Sequence, residues 1–303
     1  MTTARHVSRT ATVVALWRAR ESSRSAAARL FEDPLAPAFL GRRFRWALHL
    51  SGLPLIGAAV PWSLIDGHWA GSRGTVVVRT RYIDDVLGDA LRGGAEQVVI
   101  LGAGFDSRAY RIPGIERARV FEVDQPRTQA VKRDVVARRL GTLPPHVTLV
   151  SLDLDTHTLD AVMHGVGYRR HARTFFICEG VTHYLTADAV DAIFRHVARS
   201  AAVGSRMVFT YIHQAILAES SAFAGAAETL STVRRGGEPY TFGFDPAVLP
   251  QYLAARGLVL LEDVGASEYC ARYLAPVGRE REPLSEFQRA ALVEVSGQPP
   301  KPS

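Results

Sequence analysis

Residues 97–126 read QVVILGAGFDSRAYRIPGIERARVFEVDQP, and this stretch decides the fold. It begins with a short unbroken apolar run at 98–101, which is typical of a strand covered on both faces. Gly102 and Gly104 follow, where the missing Cβ atoms permit a sharp turn and leave room for a ligand. The stretch therefore predicts a parallel α/β sheet with a ligand site at the end of its first strand.

A second apolar run, 118–123, ends in Asp124, twenty residues beyond Gly104. A carboxylate at the tip of the second strand is placed to accept the two ribose hydroxyls of an adenosine. This spacing indicates a nucleoside cofactor. The nicotinamide fingerprint requires a third glycine where this chain has Ser107, which counts against a dehydrogenase.

Two more carboxylates follow predicted strands. Asp153 lies in the sequence LDLD (152–155), where it can accept from the adenine amine while Leu154 covers the ring; a turn or helix cap is an equally good interpretation of Asp153 alone. Glu179 ends the apolar run 174–178, where it can accept from the ammonium of a methionine moiety. We favour this role for Glu179 over an ion pair with an arginine.

The chain continues as alternating strands and helices after a helical N-terminal part. The predicted strands are 98–102, 118–123, 147–152, 174–178, 206–211, 258–263 and 269–275. Because the link 264–268 is too short for a crossover helix, the last strand should be antiparallel to its neighbour. Six parallel strands and one antiparallel strand are the sheet of a class I methyltransferase, an α/β Rossmann-like fold.

We expect residues 1–92 to form a helical cap and residues 93–296 to form the cofactor-binding domain. The segment 213–244 is a predicted lid insertion, since loops of this length usually wall a binding site. Residues 297–303 form a predicted disordered tail. Possible apolar walls of a substrate pocket are Trp62, Trp69, Phe223, Tyr240 and Phe242, although core packing is the better interpretation of any single one.

The composition is that of an ordinary globular protein, 47% hydrophobic and 22% charged, with a net charge of +6. Arginine supplies 34 of the 36 basic residues, and these are scattered, without the interleaved aromatic residues of a nucleic-acid surface. Two cysteines, Cys178 and Cys270, both in predicted strands, indicate a reducing compartment. With no secretion-signal pattern, no metal-binding cluster and no span long enough for a bilayer, we expect a cytoplasmic protein without metal, nucleic-acid or membrane partners, as a monomer or homodimer.

These features resemble the leucine carboxyl methyltransferase family, particularly its bacterial S-adenosyl-L-methionine-dependent branch. The resemblance covers most of the chain and depends on the strings RTRYIDD (79–85), LGAGFDSRAYR (101–111), FEVDQP (121–126), DLD (153–155), CEGVTHYL (178–185) and GEPYTFGFD (237–245). The resemblance implies S-adenosyl-L-methionine as cofactor. Nothing in the sequence matches the parts with which eukaryotic members recognise a protein C-terminus, so the resemblance does not identify the methyl acceptor.

The resemblance also distributes the cofactor over the chain: its carboxylate to Arg79, its methionine portion to Gly102, its ribose to Asp124, its adenine to Asp153 and Leu154, and its amine to Glu179. With Gly104 of the turn, these are the predicted cofactor-binding residues. Without the family, Arg79 would be interpreted as a solvated helix residue.

A carboxylate acceptor is already ionised at neutral pH and needs no general base, whereas a phenol or alcohol does. The nearest base candidates are His183, Tyr184 and His213, and for each histidine a hydrogen-bonded structural role is an equally good interpretation. The leading prediction is an O-methyltransferase of a small molecule, a carboxylate or a phenol of a secondary metabolite. A nucleic-acid methyltransferase, a cofactor-binding regulatory protein without turnover and a nicotinamide oxidoreductase are the alternatives.

Overall fold

The computed structural model describes residues 9–51, 71–154, 158–218 and 223–297. The strands are β1 (Gln97–Leu101), β2 (Arg119–Asp124), β3 (Val147–Ser151), β4 (Thr174–Cys178), β5 (Arg206–Ile212), β6 (Leu258–Val264) and β7 (Gln288–Val295). The α-helices are α1 (Arg9–Ser22), α2 (Arg42–Ser51), α3 (Ser72–Arg92), α4 (Arg108–Arg111), α5 (Pro126–Leu140), α6 (Leu159–Met163), α7 (Ala187–Ser200), α8 (Ala226–Gly236), α9 (Leu249–Ala254) and α10 (Ala266–Tyr269). The predicted tail lies outside the described residues from residue 298 on.

The strands form one seven-stranded sheet in the order β3-β2-β1-β4-β5-β7-β6. The ladders β1–β2, β1–β4, β2–β3 and β4–β5 are parallel, and β7 lies antiparallel between β5 and β6. Six strands therefore share one direction and one opposes them, which confirms the predicted class I methyltransferase sheet.

The prediction of the last strand was wrong in position. Residues 269–275, predicted as the reversed strand, are helical: α10 continues into a π-helical turn, Cys270–Leu274. Tyr269, Tyr273 and Leu274 are buried in the core, and their spacing fits one face of a helix. The reversed strand is β7, after a connection of more than twenty residues. Cys270 is consequently in a helical turn and half-buried, not in a strand.

The central strands β1 and β4 are buried on both faces. In β1, Val99 and Leu101 belong to one hydrophobic cluster and Val98 and Ile100 to the other, as the period-two alternation of a strand requires. Helix α3 covers the second face, with five buried side chains in the same cluster: Val77, Val78, Tyr82, Ile83 and Leu87. The strands are thus fixed closely enough to define the positions of the residues at their ends.

Helix α1 packs through Ala15, Leu16 and Ala19 into a third cluster that includes Phe105 of the loop after β1. The N-terminal helix is therefore attached directly to the glycine turn. Within the described ranges, no helix combines the length and hydropathy that crossing a bilayer requires.

Candidate cofactor-binding site

A cleft of about 1050 Å³ lies at the carboxyl edge of the parallel strands. Its lining includes every residue predicted to bind the cofactor: Arg79, Gly102, Gly104, Asp124, Asp153, Leu154 and Glu179. The strand register explains this convergence, because Leu101 pairs with Val123 on one side and with Cys178 on the other. The residues that follow β1, β2 and β4 therefore emerge side by side.

The turn after β1 is left-handed at Gly102 (φ 61°) and Gly104 (φ 43°). A Cβ on Gly102 would lie 2.3 Å from Cγ2 of Val181, so the loop after β4 packs directly on this glycine. The amide of Gly104 donates to the Asp124 carboxylate, and the amide of Gln125 donates to its other oxygen at 2.6 Å. These bonds fix the carboxylate at the cleft, where burial raises the pKa of Asp124.

Glu179 is held by two guanidinium groups. Nε of Arg79 donates to Oε1 at 2.8 Å, and Nη1 of Arg108 donates to Oε2 at 2.7 Å. Burial alone would raise the pKa of Glu179, but Arg108 and Arg79 hold it below its usual value. The ion pair with arginine, which the sequence interpretation placed second, is therefore present, and it leaves an ionised carboxylate at the cleft wall.

Arg108 is the principal residue of the site that the sequence interpretation missed, although it lies in the quoted string at 101–111. Its side chain is 1% exposed. Besides Glu179, it binds Oδ1 of Asp84 at 2.8 Å and Oδ2 of Asp106 at 2.5 Å. Arg111 completes the group with two hydrogen bonds to Asp84, at 2.7 and 2.8 Å.

The network continues into the N-terminal helix. Arg18 of α1, 4% exposed, pairs with Asp33 at 3.0 Å and donates to Phe105 O at 2.5 Å. Ser107 donates to Asp33 at 2.6 Å and accepts from Arg18 and Arg111. The turn after β1 is consequently tied by buried polar bonds both to α1 and to Glu179.

The comparison with known proteins decides the family. A model of the leucine carboxyl methyltransferase family matches residues 11–198, more than half of the chain. The chain belongs to the leucine carboxyl methyltransferase family. It is therefore an S-adenosyl-L-methionine-dependent methyltransferase, which confirms the predicted enzyme class and cofactor.

Curated relatives agree with this placement. A protein of Parafrankia sp. (strain EAN1pec), provisionally named an S-adenosyl-L-methionine-dependent methyltransferase, is 39% identical over 66% of this chain and 62% of its own length. A provisionally named methyltransferase of Mycobacterium tuberculosis (strain H37Rv) is 36% identical over 79% of this chain and 76% of its own. Among solved structures, an S-adenosylmethionine-dependent methyltransferase of Mesorhizobium loti has 16% identity and a TM-score of 0.47, over 68% of this chain and 96% of that one.

In this family member, α1, residues 236–239 and Thr241 border the cleft from outside the sheet. Thr10 and Val14 of α1 line it, as does Glu238, which accepts a hydrogen bond from the Thr10 hydroxyl. Thr241 donates its amide to the carbonyl of His183 at 2.8 Å. Part of the predicted lid insertion thus rests on the loop after β4.

The predicted aromatic walls are differently placed. Phe223 packs against a small cluster around Phe287, and Phe242 packs on Phe244 with ring centroids 4.8 Å apart. Tyr240 lines a smaller cavity beside the cleft. Trp62 and Trp69 lie outside the described residues. For Phe223 and Phe242, packing is the role that the structure shows.

The structure brings two of the three base candidates together, since the ring centroids of His183 and Tyr184 lie 4.4 Å apart. Tyr184 lines the cleft, and burial raises the pKa of its phenol well above 10. His183 lines the smaller cavity, where burial first and Arg79 second lower its pKa to about 3. The structure does not bring His213 to either cavity: its Nδ1 accepts from the amide of Ala215 at 3.1 Å and caps a short 3₁₀ helix.

Proposed function

We propose that this methyltransferase transfers the methyl group of S-adenosyl-L-methionine to a small molecule, most favourably to a carboxylate, which gives a methyl ester. The observation that carries the proposal is the chemistry of the cleft wall. Among the described residues, no histidine lines the cleft, and the phenol of Tyr184 stays protonated at neutral pH. An acceptor that is already ionised needs no proton removed.

The cleft fits the cofactor in charge and shape. Gly102 and Gly104 line the cleft at the end of β1, and the adjacent Asp124 carboxylate suits a ribose diol. Asp153 and Leu154, at the end of β3, would hold the adenine. Residue 155, which completes the sequence LDLD, lies outside the described residues.

The methionine end would lie at Arg79 and Glu179. The cofactor's amino-acid group carries both charges, and these two residues offer both complements, which are paired with each other at 2.8 Å. When the cofactor binds, Arg79 would exchange the Glu179 carboxylate for the cofactor's carboxylate, and Glu179 would exchange the guanidinium for the cofactor's ammonium. Neither side chain would then be left with an uncompensated charge. Arg108, which donates to the other oxygen of Glu179 at 2.7 Å, would keep that contact when the cofactor binds.

When bound, the cofactor supplies an electrophilic methyl group on a sulfonium. The chain's part is to hold the acceptor oxygen in line with that group and to exclude water, and positioning of this kind accounts for about 7–11 kcal/mol of a barrier. Helix α1, residues 236–239 and Thr241 border the cleft, and we expect them to exclude water from it.

The proposal includes a cytoplasmic location. It is supported by two free thiols, of which Cys178 is fully buried, and by the absence of a bilayer-length apolar helix among the described residues.

The test is methyl transfer from the tritiated cofactor to matched panels of aromatic and aliphatic carboxylic acids and of phenols. We expect label in the acids, and mild alkali should release it as volatile methanol because esters hydrolyse and aryl ethers do not. Alkali-stable label, or label confined to phenols, protein or RNA, would contradict carboxyl methylation of a small molecule.

A further inference from the structure

A second, smaller cavity of about 20 Å³ lies beside the cofactor cleft, at the end of β5 and the start of β7. It is lined by His183 after β4, by residues 210–212 of β5, by Tyr240 of the lid insertion and by Tyr269. Arg79 lines both this cavity and the cleft. A ligand group in the cavity would therefore lie next to the proposed methionine end of the cofactor.

Two buried polar atoms among the described residues that line the cavity have no hydrogen-bond partner. These are the hydroxyl of Tyr269, whose residue is 1% exposed, and Nδ1 of His183, whose residue is 6% exposed. Leaving a buried polar group unsatisfied costs about 1–3 kcal/mol. Two such atoms on one cavity indicate that a polar group is received there.

The other polar side chains at the cavity have partners. The hydroxyl of Tyr211 donates to Asp263 at 2.9 Å, and Arg289 pairs with the same carboxylate at 3.0 Å. The hydroxyl of Thr210 accepts from the amide of Gly180 at 2.7 Å. Among the described residues that line the cavity, Tyr269 and His183 are thus the two that carry a buried side-chain polar atom without a partner.

The free groups favour an anion. Burial raises the pKa of Tyr269 well above 10, so its hydroxyl remains a donor. The imidazole of His183 is neutral, and in the tautomer with its proton on Nδ1 it can donate from that atom. The guanidinium of Arg79 supplies a positive charge at the boundary. A volume of about 20 Å³ holds about one or two water-sized groups, which is room for a small anionic group such as a carboxylate head.

The geometry points to this cavity as the seat of the acceptor's carboxylate, with Tyr269 and His183 as its donors. The inference rests on the proposed function, and it assigns the acceptor to molecules whose carboxylate is unhindered enough to enter this small cavity. One carboxylate oxygen forms the new O–C bond while the S–C bond breaks and leaves its electron pair on sulfur. No proton is transferred, and the two opposite charges are neutralised.

The test uses the full chain with S-adenosyl-L-homocysteine and ¹³C-labelled formate as the carboxylate probe, and formate binding is measured from NMR line broadening. Formamide is the uncharged comparison probe. We expect formate to bind the wild type, formamide to bind more weakly, and Tyr269→Phe to weaken formate binding by about tenfold or more, since a hydrogen bond to a charged group is lost.

Matched variants separate the seat from a folding defect. Tyr273→Phe makes the same change one helical turn away, at a residue that lines neither cavity, and should bind formate as the wild type does. His183→Leu should lose formate binding, whereas His183→Asn, which retains a side-chain N–H near the position of Nδ1, should keep most of it.

Equal formate binding by the wild type and Tyr269→Phe would overturn the proposed carboxylate site. Binding of S-adenosyl-L-homocysteine without any formate binding would also overturn it and would leave an ordered water as the occupant of the cavity. Failure of the wild type to bind S-adenosyl-L-homocysteine would instead overturn the proposed function itself, and calorimetry with that compound alone distinguishes the two failures.

Discussion

Arg108→Met would remove the guanidinium that lies among three carboxylates under the cleft. Of these, Glu179 keeps Arg79 and Asp84 keeps Arg111, but Asp106 loses the cation to which it is paired at 2.5 Å. Removing one partner of a buried ion pair costs about 3–5 kcal/mol because the remaining charge is uncompensated. We expect a loss of this size at pH 7, out of a total of about 5–15 kcal/mol for a folded domain.

The assay is urea unfolding followed by circular dichroism. Arg108→Met combined with Asp106→Asn should recover at least about 1 kcal/mol of the loss, because the uncompensated charge is gone. Arg108→Lys should fall between the wild type and Arg108→Met, since an ammonium cannot reach three carboxylates as a planar guanidinium does.

Arg117→Met is the matched control, because the side chain of Arg117 is 87% exposed. Its effect should stay within about 0.5 kcal/mol. A loss below about 1 kcal/mol in Arg108→Met, or no recovery in the double variant, would refute the reasoning that this network stabilises the site.

Three other predictions concern single positions. Gly102→Ala, with φ 61° and a Cβ 2.3 Å from a neighbouring side chain, should lower the free energy of unfolding in urea by about 2–4 kcal/mol. Gly94→Ala, with φ 86° but open space around the added Cβ, should lower it by only about 1–2 kcal/mol, and equal losses would mean that close packing at Gly102 is unimportant. Despite burial, Arg108, Lys132 and Arg18 lower the pKa of Asp106 from 3.8 to about 2, so its contribution to stability is present above pH 3.8 and is lost as the pH falls to about 2. Over that range the free energy of unfolding of the wild type should fall by about 2 kcal/mol more than that of Asp106→Asn, and parallel pH profiles of the two proteins would contradict this. Alkylation of the folded protein at pH 8, read by mass spectrometry, should modify the half-buried Cys270 and spare Cys178, whose pKa burial raises to about 12; rapid labelling of Cys178 would show that β4 is accessible.

The part of the fold near the cleft was predictable from local patterns. Uninterrupted apolar runs placed β1 and β4 within a residue of their bounds, and each run was followed by a glycine or carboxylate whose function depends on being at the strand end. Parallel strands in register then bring such residues together without further information, which is why Asp124 and Glu179 share one cleft with Gly102.

The last strand was not predictable in the same way. Apart from Arg272 the seven residues 269–275 are apolar or aromatic, and periodicity cannot separate a buried strand from a buried helical turn over so few residues. The true strand β7, Gln288–Val295, begins with Gln and Arg and contains Ala290 and Ala291, which have weak strand propensity. Its place in the sheet depends on pairing with both β5 and β6, which are distant in sequence.

The role of Arg108 was also beyond the sequence. Its partners Asp84 and Glu179 lie 24 and 71 residues away, so nothing local distinguishes it from a solvated arginine. The one available signal was its position in the string that carries the family resemblance. Likewise, that His183 borders the smaller cavity and His213 caps a helix depends on how the chain returns over the sheet.

The most direct test of the central claim is a crystal structure of the full chain with S-adenosyl-L-homocysteine. We expect one ligand in the 1050 Å³ cleft, with its ribose on Asp124, its adenine beside Asp153 and its amine on Glu179. A ligand bound elsewhere, or one that leaves any of these three carboxylates without contact, would contradict the account.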